Sequence, residues 1–174
     1  MKRASPGCLA ATLVWAATLA VACGDPVQAS IKDSLGPEAN GVKPGPNHRP
    51  GQPCLVCHDG GEAPEFSIAG TVYVTPEAQR PLVDATVTIE DAEGKVFSVH
   101  SNCVGNFYTD PKRFTPVYPF RVWIAYGDAQ IDMETRVHRD GSCASCHKPK
   151  AGPSSAGPIY LTDLPNPPET AVCP

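Results

Sequence analysis

A chain of 174 residues with 20 Pro, 15 Gly and 7% aromatic residues holds material for one modest domain between irregular segments, not for two large cores. Its formal net charge is -4. Past position 22 there are 12 basic and 18 acidic residues, a balance of -6 that argues against nucleic acid as a partner.

Lys2 and Arg3 form a short basic start, residues 8–21 an apolar run, and Ala20-Val21-Ala22 a small-residue cleavage site. Residues 1–22 are therefore expected to be a secretory signal and the mature protein to work outside the cytoplasm. A membrane span needs about 20 apolar residues, more than this run supplies. Leu19-Ala20-Val21-Ala22-Cys23 resembles the lipobox of bacterial lipoproteins. That resemblance implies a lipid on Cys23 and an exported, cell-envelope location, either periplasmic or anchored at the outer membrane; Ala-Val-Ala also suits ordinary signal peptidase. Residues 23–47 lack apolar periodicity and read as a flexible tether.

Eight cysteines in an exported chain first suggest four disulfides. The spacing points elsewhere. Cys54-Leu-Val-Cys57-His58 and Cys143-Ala-Ser-Cys146-His147 are both C-x-x-C-H, the pattern in which two thiols attach a haem covalently and the next imidazole binds its iron. Chance supplies about 0.01 such pentapeptides in a chain of this composition. The expected cofactors are two covalently bound haem c groups, in segments 48–65 and 139–150, with His58 and His147 as proximal ligands. Cys103 and Cys173 are the two thiols left over, expected to join in an oxidising compartment. Four thiolates on one zinc ion and a short disulfide within each pair are the competing readings, and both leave His58 and His147 unexplained.

Each iron needs a sixth ligand unless it is open and reactive. His48 and His138 precede their motifs in a shared order, His-Arg, one residue, Gly, then the cysteine pair. They are the candidate distal ligands, and bis-histidine iron implies lower potentials than Met/His. His100, near the end of an extended segment, and Met133 are the alternatives. Alternation places Met133 on one face with Ile131 and Val137, as a core residue would be.

Between the motifs, residues 67–75, 82–91, 95–101, 104–109, 119–126 and 129–138 are rich in β-branched and aromatic residues and are bounded by Gly, Pro, Asp or Asn. Ala85, Val87 and Ile89 alternate with threonines, and no helical periodicity follows the signal. The expectation is an all-β fold, a single antiparallel β-sandwich over 66–138 flanked by loop-rich haem-binding segments, with an irregular tail at 151–174 pinned at Cys173. Gly70-Thr71-Val72-Tyr73, residues 81–89 and Gly105-Asn106-Phe107-Tyr108 resemble the carboxypeptidase regulatory-like, or transthyretin-like, β-sandwich. The resemblance implies fold and no activity. An even number of alternating strands would return the chain to the end where it entered and bring the two motifs together.

The function these expectations support is electron transfer at the bacterial cell envelope, by a carrier and not an enzyme. Its partners would be redox proteins such as other envelope cytochromes, and the membrane through Cys23. A small haem redox enzyme, or a binding lipoprotein with zinc or disulfides at its C-x-x-C pairs, are the alternatives.

Overall fold

Alternating apolar residues generate two sheets whose apolar faces meet. The structure, a computed structural model, describes residues 25–78, 80–161, 164 and 173. The signal expected at 1–22 and the lipid expected on Cys23 fall outside these. The strands are β1 (Ile68–Tyr73), β2 (Thr86–Glu90), β3 (Val96–His100), β4 (Asn106–Thr109), β5 (Arg121–Tyr126), β6 (Ala129–Asp132) and β7 (Ile159–Tyr160). One sheet runs β4-β1-β7 and the other β3-β2-β5-β6. Ile68, Val72, Leu82, Val87, Ile89, Phe107, Phe114 and Phe120 fill the space between them. Each such side chain contributes about 1.5–3 kcal/mol by leaving water.

The chain is thus an all-β sandwich. All six expected strands form, most of them shorter than the runs that signalled them. The seventh lies in the presumed irregular tail. Ile159 and Tyr160 pair with Val72 and Tyr73, and this ladder is parallel where the others are antiparallel. Leu161 then donates its N–H to the Tyr73 carbonyl at 3.1 Å and is itself buried.

Two expectations need correction. Residues 26–34, where no helical periodicity is read, form a helix: α1 (Pro26–Ser34) begins on Asp25, whose carboxylate accepts from the Val27 N–H at 2.8 Å, with Pro26 in the first turn. A good N-cap followed by proline starts a helix even without an apolar face, and none of its residues is buried. The Ile131/Met133 face is not core either. Only Ala129–Asp132 joins the ladder, as the edge of the four-stranded sheet, and Ile131 and Met133 remain 46% and 37% exposed. Alternation identifies a common face but does not say whether another layer covers it.

β1 departs from alternation in the opposite sense. All six of its residues are buried. Ile68 and Val72 face the sandwich core. Thr71, on the other face, accepts from the Gly51 N–H at 2.8 Å and donates to the Asn106 carboxamide oxygen at 2.7 Å. The outer side of β1 is therefore covered by the segment leading into the first C-x-x-C-H motif. That segment is held further by the Asn106 side-chain amide, which donates to the His48 carbonyl at 2.9 Å. The Asn102 amide donates likewise to the Pro46 carbonyl at 2.6 Å.

Candidate functional site

The two C-x-x-C-H pentapeptides adopt one backbone shape. Each opens with a single 3-10 turn, Cys54–Val56 in one and Cys143–Ser145 in the other. The histidine N–H returns to the carbonyl of the first cysteine, His58 to Cys54 at 2.9 Å and His147 to Cys143 at 2.8 Å. The residues before the turns have φ/ψ of -73/88 and -82/97, and those closing them -104/-29 and -109/-30. Such a turn puts both thiols and the imidazole of one motif within a few residues of chain while leaving them unengaged with one another. Cys54, Cys57, Cys143 and Cys146 are all free thiols, whereas Cys103 and Cys173 are joined by a disulfide.

Each histidine is oriented by a carbonyl from a different place in the chain. His58 Nδ1 lies 2.8 Å from the Pro64 carbonyl oxygen, and His147 Nδ1 lies 3.0 Å from that of Gly157. A carbonyl only accepts, so Nδ1 carries the proton in both rings and the lone pair is on Nε2. This arrangement fixes the tautomer and raises the basicity of a metal-binding imidazole. His58 is also stacked on Phe66 at 3.9 Å between centroids, and Phe66 on Tyr108 at 4.5 Å. For His147, the loop at 148–157 folds back through Ala156 N–H to the Cys146 carbonyl at 2.9 Å and Lys148 N–H to Ser155 Oγ at 3.0 Å. The sequence carries no side-chain signal for Pro64 or Gly157, since every residue offers a carbonyl.

β1 mounts both motifs. Gly51 is tied to Thr71, while Gly141 accepts from Ala69 N–H at 3.0 Å, and Ser142 bridges Ala69 in parallel register. The residues flanking the motifs also approach one another and β1. A methyl built on Gly51 would lie 2.8 Å from Pro149 Cγ and 2.7 Å from Tyr73 Oη. One built on Gly70 would lie 2.9 Å from Cys143 Cβ and 2.7 Å from the Phe107 ring. Burial pushes the Cys143 thiol up to about 12, with the nearby Cys54 and Asp140 adding to it. Burial likewise raises Cys54 to about 11 against a backbone hydrogen bond, with Cys57 adding to the rise. Both thiols are neutral near pH 7.

The candidate distal ligands sit differently. The His48 ring is 5.8 Å from that of His58. The two rings meet edge to face, at an interplanar angle of 64°. His48 Nδ1 lies 3.8 Å from Glu38 Oε2, which Arg49 Nε approaches at 3.3 Å. The chain reverses there through the left-handed residues Arg49 (φ 48°) and Gly51 (φ 76°). The segment before the second motif has no such reversal. Val137 is bridged to Phe120 and Ser142 to Ala69. Gly141 is needed because a Cβ would collide with the Ser67 carbonyl, not to turn the chain. His138, between those bridges, is exposed. The His-Arg-x-Gly order therefore repeats in sequence but not in backbone.

His100 ends β3, is exposed, and has its Nδ1 3.1 Å from Asp84 Oδ1. Met133 lines a groove with Glu90, Trp123 and Arg136 that contains no motif residue. The side chains able to hold a haem are thus the two cysteine pairs with His58 and His147, and they fit one: free thiols, correctly tautomerised imidazoles, and a buried Ser142 hydroxyl beside Cys143 with no hydrogen-bond partner among the described residues. No family model, no curated protein and no solved structure matches the chain.

Proposed function

We propose that this chain is an exported dihaem c-type cytochrome that carries electrons at the bacterial cell envelope, with haem c on Cys54/Cys57/His58 and on Cys143/Cys146/His147. One observation carries the reading. Two C-x-x-C-H turns 89 positions apart share one backbone shape, and each histidine donates from Nδ1 to a carbonyl, leaving Nε2 for a metal. Zinc needs thiolates and gives the histidines no special place; disulfides within the pairs give them none at all.

When bound, haem c supplies reversible one-electron exchange between ferric and ferrous iron. The chain's part is attachment, orientation and control of solvent. Each cysteine would hold the group by a thioether, its sulfur adding to one vinyl carbon and the thiol hydrogen to the other. The Pro64 and Gly157 carbonyls hold the His58 and His147 rings in place and strengthen them as donors. Phe66 and Tyr108 shield one face of His58. His48 is the sixth ligand proposed for the first iron, supported by its distance from His58; His138 is its counterpart by sequence order. The common mount on β1 keeps the spacing of the two sites fixed, as a carrier with two redox centres requires. Export by the signal at 1–22 and anchoring by lipid on Cys23 complete the proposal.

The test is a haem stain on a denaturing gel together with the pyridine haemochrome ratio and the intact mass. Two haems per chain are expected. A mature chain without added mass, or one that carries only zinc, overturns the reading.

A further inference from the structure

The mature chain is acidic overall, which by itself points to basic partners. The charge around the two motifs is not uniform. Residues 54–66 contain Asp59, Glu62 and Glu65 and no basic residue, a local balance of -3. Residues 139–150 contain Arg139, Lys148 and Lys150 against Asp140 alone, a local balance of +2. All seven of these side chains belong to exposed residues.

Two of the basic residues, Lys148 and Lys150, follow the second motif on a fixed stretch of backbone. Lys148 follows His147 directly, and its N–H is fixed to Ser155 Oγ at 3.0 Å. Pro149 packs toward Gly51, so the chain between Lys148 and Lys150 is pinned in the middle. Cys146 of the same motif is exposed and His147 only half-buried, so this motif opens toward solvent where the lysines stand. Asp140, the one acid in the segment, is engaged in accepting the Ser142 N–H at 2.7 Å.

We infer that the second motif is the docking face for an anionic redox partner, a protein presenting an acidic patch, and that the acidic rim of the first motif turns the same partner away. The inference rests on the haem reading above. Charges of one sign at a rim raise the encounter rate of an oppositely charged partner about 10-fold to 1,000-fold, and salt removes the effect. At an ionic strength of about 10 mM the Debye length is about 30 Å, enough to span such a rim; at 1 M it is about 3 Å.

Stopped-flow oxidation of the reduced full-length mature protein by ferricyanide tests this, since ferricyanide is anionic. One electron leaves the reduced protein and ferricyanide becomes ferrocyanide. Lys148→Glu with Lys150→Glu is expected to slow the reaction at least about tenfold at 10 mM ionic strength, and not at 1 M. Lys148→Gln with Lys150→Gln is expected to give an intermediate loss, and Asp59→Lys with Glu65→Lys no loss. Reduction of the oxidised protein by cationic hexaammineruthenium(II) is expected to be no slower in the Lys148/Lys150 variants. A change of less than about twofold with ferricyanide, or equal slowing by both reagents, overturns the inference. Two haems per chain in the same preparation, by pyridine haemochrome, keep that failure separate from failure of the haem reading. A preparation without haem overturns both.

Discussion

Thr71→Val removes one hydroxyl from the outer face of β1 and leaves the side-chain shape almost unchanged, so its cost isolates a single polar junction. Thr71 is 4% exposed and its hydroxyl serves two partners, the Gly51 N–H at 2.8 Å and the Asn106 carboxamide oxygen at 2.7 Å. Gly51 and Asn106 are themselves buried. A buried donor or acceptor left without a partner costs about 1–3 kcal/mol, and two of them about 2–6 kcal/mol in all. That is a large part of the 5–15 kcal/mol that holds an ordinary domain together. The measurement is urea unfolding of the mature protein, with the midpoint expected to fall and the slope to stay constant. Thr71→Ser, which keeps the hydroxyl, should stay within about 1 kcal/mol of the parent. Asn106→Ala combined with Thr71→Val should cost less than the sum of the two changes, since they share a bond. A Thr71→Val protein within about 0.5 kcal/mol of the parent would refute the argument that this network seats the first motif on β1.

Cys103→Ser with Cys173→Ser opens a bridge between positions 70 apart in sequence and is expected to cost about 4 kcal/mol, read as a lower urea midpoint under non-reducing conditions. Gly70→Ala places a methyl 2.7 Å from the Phe107 ring and 2.9 Å from Cys143 Cβ; overpacking of this kind costs about 1–3 kcal/mol, and thermal unfolding should register it. Asp91 is buried, which raises its carboxyl, but amides from Lys95, Val117 and Glu93 and the Lys95 charge prevail and hold it below its ordinary value. A folded value below the unfolded one of about 3.9 means stability that is complete above that pH and is lost as pH falls through the folded value. Asp91→Asn should therefore destabilise at pH 7 and show a flatter decline of the urea midpoint in acid than the parent. His48→Ala should turn one ferric haem high-spin and open it to carbon monoxide after reduction, leaving the other spectrum in place; an unchanged spectrum rules His48 out as a ligand.

The sandwich was legible because its signals are local. Ala85, Val87 and Ile89 alternate with polar residues, and all three are buried. Where a second layer intervenes, local pattern misleads. β1 is buried on both faces because a distant loop covers its outer side, while Ile131 on β6 and Met133 just past its end are exposed because nothing among the described residues covers that edge. α1 was missed since an apolar stripe was sought and the real cue was Asp25-Pro26 at its start. The motif cysteines and histidines announce themselves by spacing. Their supports do not: Thr71, Asn106, Ser155 and the carbonyls of Pro64 and Gly157 act through long-range hydrogen bonds that no short pattern encodes. The paired order His-Arg-x-Gly looked like a repeat of ligands, yet one copy reverses through Arg49 and Gly51 while the other runs between two β-bridges.

The place of Cys143 against β1 bears on how the molecule is assembled. In the folded chain its Cβ stands beside Gly70, and burial holds its thiol protonated up to about pH 12, so it reacts poorly as a nucleophile. On the haem reading, thioethers at Cys143 and Cys54 would form more readily while β1 is still unpacked and both thiols are in water. The disulfide joins Cys103 to Cys173, positions 70 apart, while the four motif cysteines stay free. Variants that hasten the packing of β1 should then accumulate a stable chain with less haem on both motifs.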